Sequence, residues 1–116
     1  MAWLLRDGEV LASLEVADAA SSRTRGLLGR DGLDGALLLR PAVSVHTLGM
    51  RFPIDVAFCD ADLVVLETVM MPRWRLGRPR PSARAIVEAE AGAFVRWRLQ
   101  AGDALDVAEG PNPVLG

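Results

Sequence analysis

The chain has 116 residues, of which 51% are hydrophobic and 24% charged, a balance that supports a folded core and excludes a largely disordered protein. This length fits a single domain over residues 1–116. The formal net charge of −2 argues against general nucleic-acid binding, and a lone cysteine, Cys59, excludes an internal disulfide and a cysteine-based zinc site.

The N-terminal segment lacks the pattern of an export signal. Asp7 and Glu9 interrupt its apolar residues well before the length of a signal peptide. No segment approaches the run of about 20 apolar residues that spans a bilayer. We therefore expect a cytoplasmic protein.

Residues 2–17 are predicted to form a β-hairpin. Two apolar segments flank Asp7-Gly8, a dipeptide that readily adopts the positive φ angles of a type I′ turn. Next we expect a short helix that begins at a capping residue, Asp18, Ser21 or Ser22, and ends at Gly29 or Gly32. GALLLRP at 35–41 is a continuous apolar run, which is typical of a strand buried on both faces.

Residues 53–71 are predicted to form a second hairpin with a loop at residues 60–62. Strand alternation places Asp55 on a small, polar face. With this loop length, Asp55 would lie opposite Glu67, and the two carboxylates would face each other. Opposed like charges destabilise a sheet, so an arginine, a metal ion, solvent or a shared proton should offset them. The candidate arginines are Arg25, Arg51 and Arg84.

The remaining chain alternates loop, strand and helix. PRWRLGRPRP at 72–81, called the basic loop below, contains three prolines and no periodic pattern. A strand at 83–91, a short helix between the glycines of 91–102 and a last strand at 103–107 follow. These elements predict a mainly β (α+β) fold, a compact antiparallel β-sandwich or partly closed barrel with one or two short helices.

Four segments in order, RTRGLLGRDGLDGALLLRP, HTLGMRFPIDVAFCD, AIVEAEAGAF and LQAGDAL, resemble the signatures of the DUF192 family. The resemblance covers about residues 9–107. It implies a small, mainly β domain of bacterial or archaeal type with no established activity, cofactor or substrate. The matching positions are Arg25, Gly26, Leu27, Pro53, Asp55, Phe58, Glu88, Gly92, Gly102 and Asp103.

His46 is the only histidine of the chain and the first candidate for a general base. A base needs a nucleophile within reach, and no serine or cysteine is suitably placed in the sequence. Many family members carry Trp-Met-Lys-Asn-Thr in place of residues 46–50, so the resemblance argues against a family-wide catalytic role. We interpret His46 as a packed or surface imidazole and Asp55 as mainly a structural acceptor.

Three functions remain open. The first is a non-enzymatic binding or interaction module, without cofactor or metal, whose surface lies near Asp55, Glu67 and Glu88. Its binding residues would be Arg25, Arg51, Asp55, Glu67, Arg73, Trp74 and Arg75. The second is a small enzyme that pairs Asp55 with Glu67 or Glu88, assisted by His46 and an arginine. The third is a purely structural subunit of a larger assembly.

The basic loop predicts a partner. It places four arginines around Trp74, which is the strongest charge asymmetry in the sequence. Proline limits the entropy that the loop loses on binding, and Trp74 would add a stacking or burial anchor. We expect contact with an anionic partner, either an acidic protein surface or a phosphate-bearing polymer, by a monomer or weak homodimer.

Overall fold

The computed structural model describes residues 1–114, apart from the side chains of Thr24 and Arg25. Within this part the chain forms seven strands and two short helices. They are β1 (Ala2–Arg6), β2 (Glu9–Ala17), α1 (Ala20–Arg25), β3 (Ala36–Leu39), β4 (Ile54–Cys59), β5 (Val65–Met71), β6 (Ala85–Glu90), α2 (Ala93–Trp97) and β7 (Leu105–Glu109). The predicted mainly β fold with short helices is confirmed. Neither helix is long and apolar enough to cross a membrane.

The strands form one sheet in the order β5-β4-β6-β3-β2-β1-β7. All neighbours are antiparallel except β2 and β3, which are parallel. This parallel pair was not expected from the sequence. It arises because residues 18–35, which include α1, are long enough to carry the chain back across the sheet.

The two edge strands meet at one end of the sheet. Val65 N–H donates to the carbonyl of Asp103 at 2.8 Å, and Leu105 N–H donates to the carbonyl of Leu63 at 3.0 Å. Val64 and Ala104 form an isolated antiparallel bridge at the same place. The sheet therefore curls into a partly closed barrel, as predicted.

Alternation along each strand divides the buried side chains between two cores. The inner core draws on both edge regions of the sheet and includes Leu4, Leu14, Leu38, Val65, Val87, Phe94 and Leu105. The outer core lies on the opposite face, under the long loops, and includes Leu27, Leu39, Met50, Ile54, Val56, Phe58 and Ile86. Neighbouring residues of β4 or β6 consequently face different cores.

The first hairpin has the predicted turn, because Asp7 and Gly8 adopt φ angles of 52° and 78°. The predicted limits of α1 are wrong. Its N-cap is Ala19, which makes no side-chain capping bond. The helix ends at Gly26, where φ is 47° and the N–H donates to the carbonyl of Ser22. Gly26 thus supplies the positive φ at the helix end, which we expected at Gly29 or Gly32.

The predicted register of the β4–β5 hairpin is also wrong. Asp55 lies opposite Met70, and Glu67 lies opposite Phe58. Because Asp55 faces the inner core and Phe58 the outer core, the two carboxylates are on different faces of the sheet. The expected like-charge contact does not form.

The physical reason is the loop that joins these strands. Asp60 Oδ1 accepts hydrogen bonds from the N–H groups of Asp62 at 2.9 Å and Val64 at 3.0 Å, so the turn extends beyond residues 60–62. Leu63 adopts a φ of 63° and is buried. The ladder begins only with Cys59 opposite Val65, and a bulge between Phe58 and Cys59 then shifts the register by one more residue.

Candidate functional site

A cavity of about 270 Å³, called the Glu88 cavity below, lies on the outer face of the sheet. It is built where α1 and the loops before β4 cover β3 and β6. Its lining residues are Arg23, Gly26, Leu27, Leu28, Leu39, Ser44, Val45, His46, Leu48, Met50 and Glu88.

Glu88 occupies the deep side of this cavity because of its position in β6. Val87 and Ala89 face the inner core, so Glu88 faces the outer side, where its residue is only 4% exposed. No described group donates a hydrogen bond to its carboxyl group. In the described part, every side-chain nitrogen or oxygen atom that is fully shielded from solvent has a hydrogen-bond partner. Because the Glu88 carboxyl group has no such partner, its oxygens must remain accessible from the cavity.

Burial controls the protonation of this carboxyl group. Removal from water raises the pKa of Glu88 to about 7, and the opposing charge of Arg30 lowers it only in part. A carboxyl group with a pKa of about 7 gains or loses its proton near neutral pH. It can donate a hydrogen bond when protonated and attract a cation when ionised.

His46 lies at the rim of the same cavity. It is exposed, and its Nδ1 accepts a weak hydrogen bond from Leu48 N–H at 3.3 Å. Arg23, also at the rim, donates to the carbonyl of Asp18. The cavity therefore combines one deep carboxyl group, apolar walls and a polar rim, which is the usual composition of a small-ligand site.

The basic loop is anchored beside this rim by Thr47, which is fully buried. Its Oγ1 donates to the carbonyl of Pro72 at 2.6 Å and accepts from Arg75 N–H at 2.9 Å. Trp74 N–H donates to the Thr47 carbonyl at 3.0 Å, while the Trp74 side chain is 61% exposed. These bonds hold the loop in one place and leave Arg73, Trp74 and Arg75 facing solvent.

Arg80 differs from the other arginines of the basic loop. Its Nε and Nη2 bind the two carboxylate oxygens of Glu67 at 2.9 and 3.2 Å. The guanidinium also lies 4.3 Å from the centre of the Phe58 ring. The bond from Arg80 lowers the pKa of Glu67. Glu67, predicted as a binding residue, is thus occupied in fastening the loop to the sheet.

Asp55 lies away from the cavity, on the inner face. Its Oδ2 accepts hydrogen bonds from Gly92 N–H at 2.9 Å and Phe94 N–H at 3.1 Å, at the start of α2. This geometry agrees with the expected role as a structural acceptor. The alternative that paired Asp55 with Glu67 or Glu88 is wrong, because both glutamates face the other side of the sheet.

The other predicted residues are dispersed. Arg51 forms an exposed ion pair with Asp31 at 2.7 Å, and Arg84 binds backbone carbonyls of its own loop. The side chain of Arg25 lies outside the described residues. In the described part, no three histidine, cysteine, aspartate or glutamate side chains are grouped so that they could hold a metal ion.

Of the three predicted catalytic candidates, the structure brings His46 and Glu88 to one cavity. Sequence reasoning missed the rim residues Arg23 and Ser44. His46 carried a signal as the only histidine, and Glu88 as one of two glutamates in the otherwise apolar segment AIVEAEA. The rim and walls come from separate loops, whose approach to β6 leaves no local pattern.

The DUF192 family model, described as "Uncharacterized ACR", matches residues 2–107 of this chain. A UPF0127 protein of Thermococcus gammatolerans is 31% identical over 104 residues, which are 83% of this chain and 68% of the relative. A UPF0127 protein of Pyrococcus furiosus is 29% identical over 103 residues, which are 84% of this chain and 89% of the relative. Both relatives are archaeal, so the bacterial source stays a prediction. The cytoplasmic location also stays a prediction.

The fold is shared with a solved structure. The crystal structure of a protein of unknown function from Novosphingobium aromaticivorans superposes with a TM-score of 0.76. It covers 90% of this chain and 82% of that chain at 17% identity, a level that supports the fold alone. Because the family model spans nearly the whole described sheet, this chain belongs to the DUF192 family.

Proposed function

We propose that this chain is a binding module whose ligand site is the Glu88 cavity. The supporting observation is a carboxyl group, 4% exposed, at the deep side of a cavity of about 270 Å³. Burying a carboxyl group opposes folding unless a partner stabilises it. A ligand that donates a hydrogen bond or carries a positive charge would provide that partner.

The walls define the rest of the ligand. Leu27, Leu39 and Met50 offer an apolar surface, while Ser44 and His46 offer polar groups at the rim. The volume is somewhat larger than an apolar cavity of about 150 Å³ that accommodates benzene. We therefore propose a small amphipathic ligand with a donor group at its buried end.

Three probes of one shape test this site: benzylamine, benzyl alcohol and benzoate. Their binding is followed by amide chemical shifts in solution, at about pH 6 and about pH 8, on either side of the Glu88 pKa. We expect shifts at residues 26–28 and 45–50. Benzylamine should bind more tightly at the higher pH, because Glu88 is then ionised, and benzoate more weakly.

Glu88→Gln should remove this pH dependence, since glutamine stays neutral. Glu109→Gln changes an exposed glutamate of β7 and should behave as the unaltered protein. If none of the probes at millimolar concentration shifts the cavity residues, or if Glu88→Gln retains the pH dependence, the proposed site is wrong.

A small enzyme is the second candidate function. A carboxyl pKa of about 7 suits a general acid or base, and His46 lines the same cavity. This candidate would gain support if a ligand found at the cavity were converted to a product, with Glu88→Gln lowering kcat and leaving KM unchanged.

We also propose that the basic loop contacts an anionic partner. Arg73, Arg75 and Arg78 are exposed, whereas Arg80 is held by Glu67. The variant that tests this contact therefore replaces Arg73, Arg75 and Arg78 with serine and keeps Arg80. Fluorescent polyglutamate and polyphosphate should bind the unaltered protein at low salt, lose affinity at moderate salt, and bind the variant weakly at both. Equal binding by the two proteins would contradict this part of the proposal.

A further inference from the structure

β5 is an edge strand whose hydrogen-bond phase is regular from Glu67 to Met71, beyond the bulge near its start. The Ala91 N–H donates to the Pro53 carbonyl at 3.2 Å, which sets the phase of the ladder between β4 and β6. Residues of an antiparallel strand bond alternately to the neighbour on each side. Every second residue of β4 from Ile54 onward therefore bonds to β5, and these are Ile54, Val56 and Phe58.

The phase of β5 follows from its register with β4. Met71, Val69 and Glu67 lie opposite those three residues and bond to them. The N–H and C=O groups of Thr68 and Met70 must then point away from the sheet. Among the described residues, no backbone hydrogen bond outside the sheet involves either residue. Two donors and two acceptors are available along this edge.

From Glu67 to Met71 the edge lacks the features that usually prevent pairing with another strand. Such features are lysine, proline or an inward-facing charge on the strand. Thr68 and Met70 are uncharged and exposed, Met70 by 56%, and the one charge of β5, Glu67, is held by Arg80. Beside the edge lies a groove of about 360 Å³, where Val95 of α2 is 82% exposed.

We propose that β5 pairs antiparallel with β5 of a second copy of this chain, about a twofold axis at Val69. In this register Thr68 of one copy lies opposite Met70 of the other, and four main-chain hydrogen bonds satisfy all the outward-facing groups of both residues. Glu67 lies opposite Met71, so no like charges meet. A second copy fits because the same pattern is complementary to itself.

The side chains support the same register. Directly opposed residues share a face of a continuous sheet, so Met70 of the second copy would lie beside Thr68, over the groove with Val95 and Leu99. The pairing would cover the exposed Met70. A stable interface buries about 1,000 Å² of surface or more, and a single pair of short strands buries less. We therefore expect a weak, concentration-dependent dimer.

Disulfide trapping tests the register. Residues opposed across the axis in a non-hydrogen-bonded pair have Cα atoms about 4.5 Å apart, which suits a disulfide. Val69→Cys should therefore form a covalent dimer in a glutathione buffer. Thr68→Cys, its matched control, lies diagonally from its copy at about 7–8 Å and should cross-link several-fold less. Cys59 is fully buried and does not compete.

Sedimentation tests the association without a new thiol. The unaltered protein should show a rising sedimentation coefficient at high concentration. Met70→Lys should remain monomeric. Val43→Lys, the control, also replaces an exposed apolar side chain with lysine, but in a loop, and it should associate like the unaltered protein. Equal cross-linking of the two cysteine variants, or a protein that stays monomeric at millimolar concentration, would overturn the proposal. Binding of an extended peptide by a monomeric protein would reassign the edge to a different partner and also overturn it.

Discussion

Replacing Asp55 with alanine should destabilise the protein through α2. Asp55 Oδ2 accepts the N–H groups of Gly92 and Phe94, and the two donors differ in their access to water. Gly92 is exposed, so water can replace the lost bond. Phe94 is 6% exposed, and its N–H would be left without a partner.

The expected magnitude follows from this difference. An orphaned buried donor costs roughly 1–3 kcal/mol, and a donor that regains water costs little. Asp55→Ala should therefore lower the free energy of unfolding by about 2 kcal/mol. Asp55→Asn keeps an oxygen for the Phe94 N–H and should lose about half as much.

Urea unfolding followed by tryptophan fluorescence measures this quantity, provided that the slope of the transition is unchanged. Asp106→Ala removes an exposed carboxylate of β7 and serves as the control, with a change within about 0.5 kcal/mol. An Asp55→Ala protein as stable as this control would refute the structural role.

Two further predictions concern buried ionisable groups. Burial raises the pKa of Glu88 from 4.5 to about 7, so between these values the folded state holds a proton that the unfolded state has released. The free energy of unfolding should then fall by up to about 3 kcal/mol as pH rises through this window, and Glu88→Gln should abolish that fall. Urea unfolding of both proteins at about pH 5 and about pH 8 measures the effect. A difference in stability between the two proteins that is the same at both pH values would contradict this prediction. Burial likewise raises the pKa of the Cys59 thiol to about 12, so Ellman's reagent should react with the unfolded protein but not with the native one near pH 8, and rapid native labelling would argue against this burial.

Local patterns in the sequence were sufficient for several elements. Asp7-Gly8 predicts its turn because the required φ angles depend on these two residues alone. The apolar run at 35–41 predicts a buried strand, since a short apolar segment closed by proline has few alternatives. Glu88 could be singled out through the resemblance to DUF192, because it is one of the matching positions, whereas the neighbouring Glu90 is not.

Contacts between distant segments decided the rest. Asp60 binds the N–H groups of its own turn, and the resulting shift of register separates Asp55 from Glu67. Strand alternation then places Asp55 and Glu88 on opposite faces. Which face becomes a cavity depends on how α1 and the loops pack over the sheet. That packing is a tertiary property, because it depends on side chains that meet only after the sheet has curled.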